Sequence, residues 1–411
     1  MAAVGCAKTY DVVIVGGGPA GLNVLSALHN REGALTDKEQ SEMYLRRKKG
    51  QTTFKARRTL ACCVVDPSGA FLHEWRGRFE ALDIGKLRSP VTAQPDFFSA
   101  NALAEYAWSK GRDGELHALD LSTTCLRHLT ELNAGLFRLP GSQIFADFCD
   151  DLTTSLPHDF ERGEATRVAK RGDGTYAVHV AGGRTLAATS VVLALGSAST
   201  PRVPEAFGNA GRRRSTRVCH TADWARLKGL DFAGETVLVV GGGLSAAQAA
   251  LRAERRGARR VVLCSRRPMV CQHYDLGLEW MNPRTTKKGN ARGKLFEYKG
   301  LPLEARMAWI RKARGGATVP PGYLAELDKA ARRGRLERRV GEVATAEEED
   351  DDDGGALRVT FRGNTTIAPL VADRVVLATG TRLDVASRAA RGCEGGQLQR
   401  LLCRSFPSRF G

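Results

Sequence analysis

Two stretches of the chain repeat one order of residue types: a short β-branched apolar run, a cluster of glycines, then apolar residues at helical spacing. The first is DVVIVGGGPAGLNVLSAL, from Asp11 to Leu28, and the second is ETVLVVGGGLSAAQAA, from Glu235 to Ala250. Each predicts a buried parallel strand that turns sharply into a helix. Leu60 to Val65 and Arg260 to Cys264 read as the strands that follow those helices. SVVLALG, from Ser190 to Gly196, and RVVLATG, from Arg374 to Gly380, read as two more strands ending at glycine. Strands alternating with helices predict the α/β class, with two dinucleotide-binding, Rossmann-like, three-layer domains.

The glycines carry the chemistry. Gly16 permits a tight turn, Gly18 lets backbone approach a pyrophosphate without a Cβ in the way, and Gly21 allows the helix to pack closely on the strand. Gly17, Pro19 and Ala20 complete the loop and open the helix, whose N-terminal N–H groups and positive dipole end favour phosphate. Asp66, closing the second strand, is the candidate for the ribose hydroxyls. Its spacing from the glycines exceeds the usual separation of about 20 residues, so the basic segment from Arg31 to Arg58 reads as a solvated loop insertion.

In the second fingerprint Gly241 and Gly243 keep their places and Ala246 takes the third, with Leu244 and Ser245 between them. Ser265, Arg266 and Arg267 then stand where an NAD-preferring site carries a carboxylate. A carboxylate would repel a 2′-phosphate, whereas a hydroxyl and two guanidiniums can bind it, so NADPH is expected over NADH.

The net charge of +17 would suit an anionic partner, but 47 of the 62 basic residues are Arg scattered along the chain, and no stripe interleaved with aromatics predicts nucleic-acid binding. The ten cysteines show no C-x-x-C pair, and the eight histidines no ligand spacing, so neither a metal site nor a disulfide framework is expected. Cys62 and Cys63 are adjacent on a predicted strand and point to opposite faces, which argues against a redox-active dithiol. The uncharged stretch from Val12 to Leu28 is broken by glycines and Pro19, so it does not read as a membrane span. No signal-peptide pattern precedes Tyr10, and a cytoplasmic protein is expected.

With these motifs the chain resembles the flavin-dependent N-hydroxylating and flavin-containing monooxygenases, and within them the oxidative-stress-induced growth inhibitor branch. The segment Phe71 to Trp108, FLHEWRGRFEALDIGKLRSPVTAQPDFFSANALAEYAW, resembles the stretch beside the isoalloxazine ring in lysine and ornithine N-monooxygenases. The resemblance implies that FAD occupies the first site and NADPH the second, and that Leu87, Arg88 and Ser89 approach the flavin with Trp75 packed against it. It also implies that Val168 meets the adenine through its backbone, that Gly196 and Gly380 mark the crossings between domains, and that the NADPH domain is inserted in the FAD domain, with boundaries of 1–203 for the first FAD segment, 204–369 for the NADPH domain and 370–411 for a shortened return segment. The implied activity is oxygen transfer from O2 through a C4a-hydroperoxyflavin to an amine or other soft nucleophile on a small molecule. A non-catalytic regulatory protein of the same fold, and a flavin-dependent reductase or oxidase without oxygen transfer, are the alternatives. Substrate and oligomeric state are not legible in the sequence.

Overall fold

The computed structural model describes residues 9–29, 59–97, 99–119, 137–196, 199–208, 216–277, 294–348, 355–362 and 367–383. The basic insertion at 31–58, the tip of the acidic run at 349–353 and the chain beyond 383 lie outside them.

The first sheet has the strand order β5-β2-β1-β8-β7-β6. Its parallel half consists of β1 (Thr9–Val15), β2 (Cys62–Asp66), β5 (Asp159–Arg162) and the end of β8 (Thr185–Leu193). The start of β8 pairs antiparallel with β7 (Tyr176–Val180), and β7 with β6 (Ala165–Lys170), so one long strand serves both halves. Side chains alternate across the strands. Val12, Ile14, Cys62 and Val64 meet α1 (Pro19–His29), α2 (His73–Ala81), α3 (Ala102–Ser109) and α4 (Ser142–Ser155), while Val13, Val15, Cys63 and Val65 form a core with Val168, Val178 and Ala188. Cys62 and Cys63 therefore lie on opposite faces, as the spacing predicts. A short pair, β3 (Leu116–His117) and β4 (Leu139–Pro140), closes the helical side.

The second sheet is parallel throughout, in the order β10-β19-β11-β12-β15: β10 (Val218–His220), β11 (Thr236–Val240), β12 (Arg260–Ser265), β15 (Leu336–Val340) and β19 (Arg374–Leu377). On one face Val237, Val239, Val261, Leu263 and Val376 pack with α6 (Leu244–Arg255), α9 (Pro321–Arg332) and the short α5 (Trp224–Lys228). On the other, Leu238, Val262, Cys264, Val375 and Leu377 meet the antiparallel layer of β16 (Glu342–Glu348), β17 (Leu357–Arg362) and β18 (Leu370–Ala372). Two helices, α7 (Lys294–Gly300) and α8 (Leu303–Arg314), lie in the chain between the strands of a small parallel pair, β13 (Val270–Cys271) and β14 (Thr318–Val319).

This topology corrects the expected boundary at 369. β18 and β19 fall in the segment assigned to the return of the first domain, yet β19 sits between β10 and β11, with both faces buried. An apolar run with no polar face needs a layer on each side, and β19 has them in the helical core over Val376 and the antiparallel layer over Val375 and Leu377. After Gly380, β20 (Thr381–Leu383) pairs antiparallel with β9 (Ser199–Pro201), which lies between the two sheets in the chain. Arg202 N–H donates to the Gly380 carbonyl at 3.0 Å, and the Thr379 hydroxyl to that of Arg202.

The domains also share a core. Ala81, Leu82 and Ile84, at and beyond the end of α2, pack with Leu227, Phe232 and α6. Gly77 lets α2 come close enough to α5 that a Cβ there would lie 2.5 Å from the Trp224 ring. Asp83, at a positive φ of 49°, lies 3.6 to 3.8 Å from the guanidiniums of Arg252, Arg255 and Arg256 on and just beyond α6. Arg252 is buried against Phe232 and donates to the carbonyls of Leu227 and Lys228 at 2.9 and 3.0 Å.

Candidate functional site

The two glycine loops are built on one hydrogen-bonded frame. In the first, Gly16 N–H donates to the Val65 carbonyl at 2.9 Å and Ala194 N–H donates to the Val15 carbonyl at 2.8 Å. In the second, Gly241 N–H donates to the Cys264 carbonyl at 2.9 Å and Ala378 N–H to the Val240 carbonyl at 2.8 Å. A Cβ on Gly16 would stand 2.3 Å from the Ala194 oxygen, and one on Gly241 would stand 2.4 Å from the Ala378 oxygen. Gly16 moreover holds φ at 117°, a conformation that L side chains avoid. Both loops thus lie at the carboxyl end of a central parallel strand, at the start of a helix, where ligands of open α/β sheets bind.

The third fingerprint position brings helix to loop: a Cβ on Gly21 would stand 2.0 Å from the Gly16 oxygen, and Ala246 Cβ lies 3.1 Å from where one on Gly241 would be. The middle glycines face outward differently. A Cβ on Gly18 would meet nothing within 4 Å, whereas one on Gly243 would stand 3.1 Å from Ala317 Cβ. Pro19 occupies the first position of α1, where its missing N–H costs no helical bond, and Ala20 is exposed beside it. Gly243 caps α6 with no side-chain hydrogen bond; Leu244 is half-buried and Ser245 exposed. The first N–H groups of a helix have no intrahelical acceptor, so a cap without a side chain leaves that N-terminus available to an anion. The frames fit a bound dinucleotide's pyrophosphate.

The edges of the frames differ. Asp66 accepts the Gly17 N–H at 2.9 Å through one oxygen, and through the other the Ser68 N–H at 2.9 Å and the Ser68 hydroxyl at 2.6 Å. Ser265 holds the matching place at the end of β12, buried, its hydroxyl donating to the Arg267 carbonyl at 2.8 Å. Arg266 and Arg267 are exposed, with the Arg267 guanidinium beside Gly316. A pocket of about 310 Å³ opens next to Ser265, lined by Pro268, Met269, Leu324, Arg339 and Val340 among others.

Val168 lies on β6, three strands from β1 on the side away from β2, and its side chain is in the core. The chain beside Asp66 is instead Arg162–Gly163: Gly163 N–H donates to the Asp66 carbonyl at 3.1 Å, as Gly341 N–H does to that of Ser265 at 2.9 Å. Trp75 stacks on Phe79, with ring centres 3.8 Å apart, and tilts against Phe145. Leu87 is buried in the same core and its N–H donates to the Pro140 carbonyl; Ser89 is exposed. Arg88 turns its guanidinium toward the second domain, onto residues 272–275 and Thr318. Gly196 and Gly380, both at positive φ, sit where the chain leaves each sheet.

Periodicity and spacing passed over Arg162–Gly163 and Val340–Gly341. Their signal is an internal repeat, a strand ending in R-G-E or V-G-E, followed by a meander and then a V-V-L-A run.

Among the described residues no cluster of His, Cys, Asp and Glu could hold a metal ion, and no helix is long and apolar enough to cross a membrane. No curated protein sequence is similar enough to match. A family model described as pyridine nucleotide-disulphide oxidoreductase matches residues 103–289. Among solved structures the chain is similar to the ornithine N-hydroxylase of Kutzneria sp. 744, in its complex with reduced FAD, NADP+ and L-ornithine, at 18% identity over 91% of this chain and 81% of that one, with a TM-score of 0.62. It is similar also to the ornithine hydroxylase of Pseudomonas aeruginosa, at 18% identity, 92% and 84% coverage and a TM-score of 0.62. The cadaverine monooxygenase of Erwinia amylovora, bound to FAD, gives 15% identity, 93% and 81% coverage and a TM-score of 0.62. At these identities the likeness is one of fold: two dinucleotide-binding domains in one chain.

Proposed function

We propose that this protein is an oxidoreductase that binds FAD in the first frame and NADPH in the second, and that it acts as a monooxygenase on an amine or another soft nucleophile. The observation that carries the reading is the pair of matching frames with opposite edges, a carboxylate at Asp66 and a hydroxyl with two arginines at Ser265 to Arg267. Bound FAD would supply the redox and oxygen-activating chemistry, with NADPH as hydride donor.

The chain's own part is to bind and orient. Gly16 to Gly21 present the N-terminus of α1 to a pyrophosphate, and Asp66 offers remaining lone pairs to ribose hydroxyls while anchoring the Gly17 N–H. At the second edge Arg266 and Arg267 supply the guanidiniums a 2′-phosphate needs, and the pocket beside Ser265 provides apolar walls for an adenine. The frames rest against one another through the core shared by α2 and α6. The N-hydroxylating neighbours support the choice of substrate class. The placement of Cys62 and Cys63 on opposite faces of β2 argues against dithiol exchange as the outlet for electrons.

The test is the absorption spectrum of the purified full chain with and without added FAD, before and after NADPH, followed by O2 uptake with candidate amines. The expected result is saturable FAD binding, bleaching by NADPH, and O2 consumption matched by oxygenated product. A protein that takes up no FAD overturns the proposal. NADPH oxidation that yields only hydrogen peroxide with every amine would make it an oxidase.

A further inference from the structure

Arg88 lies in the first domain, yet all its described partners belong to the second. Its Nε donates to the His273 carbonyl at 3.0 Å, and one terminal nitrogen to the carbonyls of Gln272 and Tyr274 at 2.8 and 3.0 Å and to the Thr318 hydroxyl at 2.7 Å. The other terminal nitrogen donates to Asp275 at 2.8 Å and reaches the Thr318 carbonyl at 3.4 Å. Six acceptors surround five N–H groups, and the side chain is only 13% exposed, so the guanidinium has no donor left for an anionic substrate.

What Arg88 grips is the far end of the loop that begins at the second nucleotide edge. That loop leaves β12 at Ser265, carries Arg266 and Arg267, and becomes β13, which pairs with β14 through Val270↔Thr318 and Cys271↔Val319. Gln272 N–H continues the ladder to the Val319 carbonyl at 3.0 Å. One residue before β14, Ala317 lies against Gly243, the cap of α6, and Gly316 lies against the Arg267 guanidinium. Beyond the gripped carbonyls the Tyr274 hydroxyl donates to the Phe137 carbonyl of the first domain at 2.6 Å. The β13–β14 pair thus joins the Arg267 guanidinium and the α6 cap to the backbone that Arg88 holds.

We propose that Arg88 is a positioning residue for the second nucleotide site: by fixing the backbone of residues 272–274 and Thr318 it sets where Arg266 and Arg267 stand, and so the preference for a 2′-phosphate. This rests on the NADPH reading above. A planar guanidinium can span three successive carbonyls and a hydroxyl; an ammonium, radiating from one atom, cannot. The role therefore depends on the fork of donors and not on the charge.

The experiment measures NADP+ and NAD+ dissociation constants by calorimetry on the full-length wild-type protein and on Arg88→Lys, with the thermal midpoint of each. Arg88→Lys is expected to weaken NADP+ at least tenfold and NAD+ less than threefold. Thr318→Val, which removes one acceptor and leaves the carbonyl bonds, is expected to shift the ratio in the same direction by less, and it serves where Arg88→Lys does not fold. Equal loss for both dinucleotides in either variant, or full NADP+ affinity in Arg88→Lys, overturns this inference and leaves the NADPH reading standing. Wild-type protein that binds NADP+ no better than NAD+ overturns the NADPH reading itself.

Discussion

Gly18 and Gly21 stand three residues apart in one loop, and the frame assigns them opposite tasks, which alanine substitution separates. A Cβ on Gly21 would lie 2.0 Å from the Gly16 carbonyl oxygen, against 3.4 Å for the closest ordinary contact, so α1 and its loop must part by roughly 1.4 Å. Both atoms belong to backbone, and the Gly16 N–H is itself tied to Val65. Overpacking of this kind costs about 1–3 kcal/mol, and with no flexible side chain to yield, Gly21→Ala belongs near the upper end of that range. For a domain of this size that is a fall of roughly 6–12 °C in the thermal midpoint. A Cβ on Gly18 would meet nothing within 4 Å, so Gly18→Ala is expected to change stability by no more than about 0.5 kcal/mol. That open space is where a pyrophosphate would approach, and Gly18→Ala is expected to weaken FAD binding at least tenfold. Thermal unfolding without added FAD and flavin titration of the folded protein read the two effects separately. Unchanged FAD affinity in Gly18→Ala, or an unchanged midpoint in Gly21→Ala, would refute the reasoning from the frame.

Gly77→Ala pushes a methyl to within 2.5 Å of the Trp224 ring and is expected to cost about 1–3 kcal/mol at the junction of the domains, read as a lower midpoint by calorimetry. His220, buried at the end of β10 with its Nδ1 accepting the Ala222 N–H, is held by burial below the ordinary imidazole value of 6.5. Above pH 6.5 it contributes no pH dependence; as pH falls below that value the unfolded chain takes up a proton the folded one refuses, and stability drops until the folded imidazole protonates. The slope is at most about 1.4 kcal/mol per pH unit, and His220→Asn, which keeps an acceptor, should flatten urea midpoints measured between about pH 5 and 6.5. Among the described cysteines Cys271 is exposed, whereas burial raises the Cys62, Cys219 and Cys264 thiols to about 11; alkylation at neutral pH, mapped by peptide mass, should modify Cys271 well before those three.

The strand–glycine–helix units were legible because their cause is local: a buried β-branched run, a turn only glycine can make, and an apolar stripe at helical spacing. Asp66 and Ser265 emerged from counting to the end of the next strand. The Val340–Gly341 edge and the true course of β19 depend on register between segments far apart in sequence, which periodicity does not encode. The same holds for the strand neighbouring β2, which is β5, coming after α4, and not the meander strand β6 that carries Val168. Arg88 is the sharpest case. A buried guanidinium takes the acceptors nearest to it, and here they are the carbonyls of another domain, which no pattern in its sequence neighbourhood encodes.

The matching frames also explain how one architecture can hold two different nucleotides. The bonds that shape each loop are backbone bonds, repeated from Gly16 to Gly241, Ala194 to Ala378 and Gly163 to Gly341, so they cannot distinguish one dinucleotide from another. On the proposed reading, discrimination is left to the side chain that closes the second strand and to the two residues next to it in the loop. At the first edge the Asp66 carboxylate is drawn into the loop by the Gly17 N–H, and on the proposed reading a carboxylate at that edge disfavours a further phosphate. At the second the Ser265 hydroxyl turns to the Arg267 carbonyl, leaving two guanidiniums outside. A carboxylate needs one neighbouring N–H to hold it, but two exposed arginines on a loop need the loop itself held. Arg88 of the other domain holds the far end of that loop, and in the positioning role proposed for it the specificity of the second site is a property of how the two domains are joined.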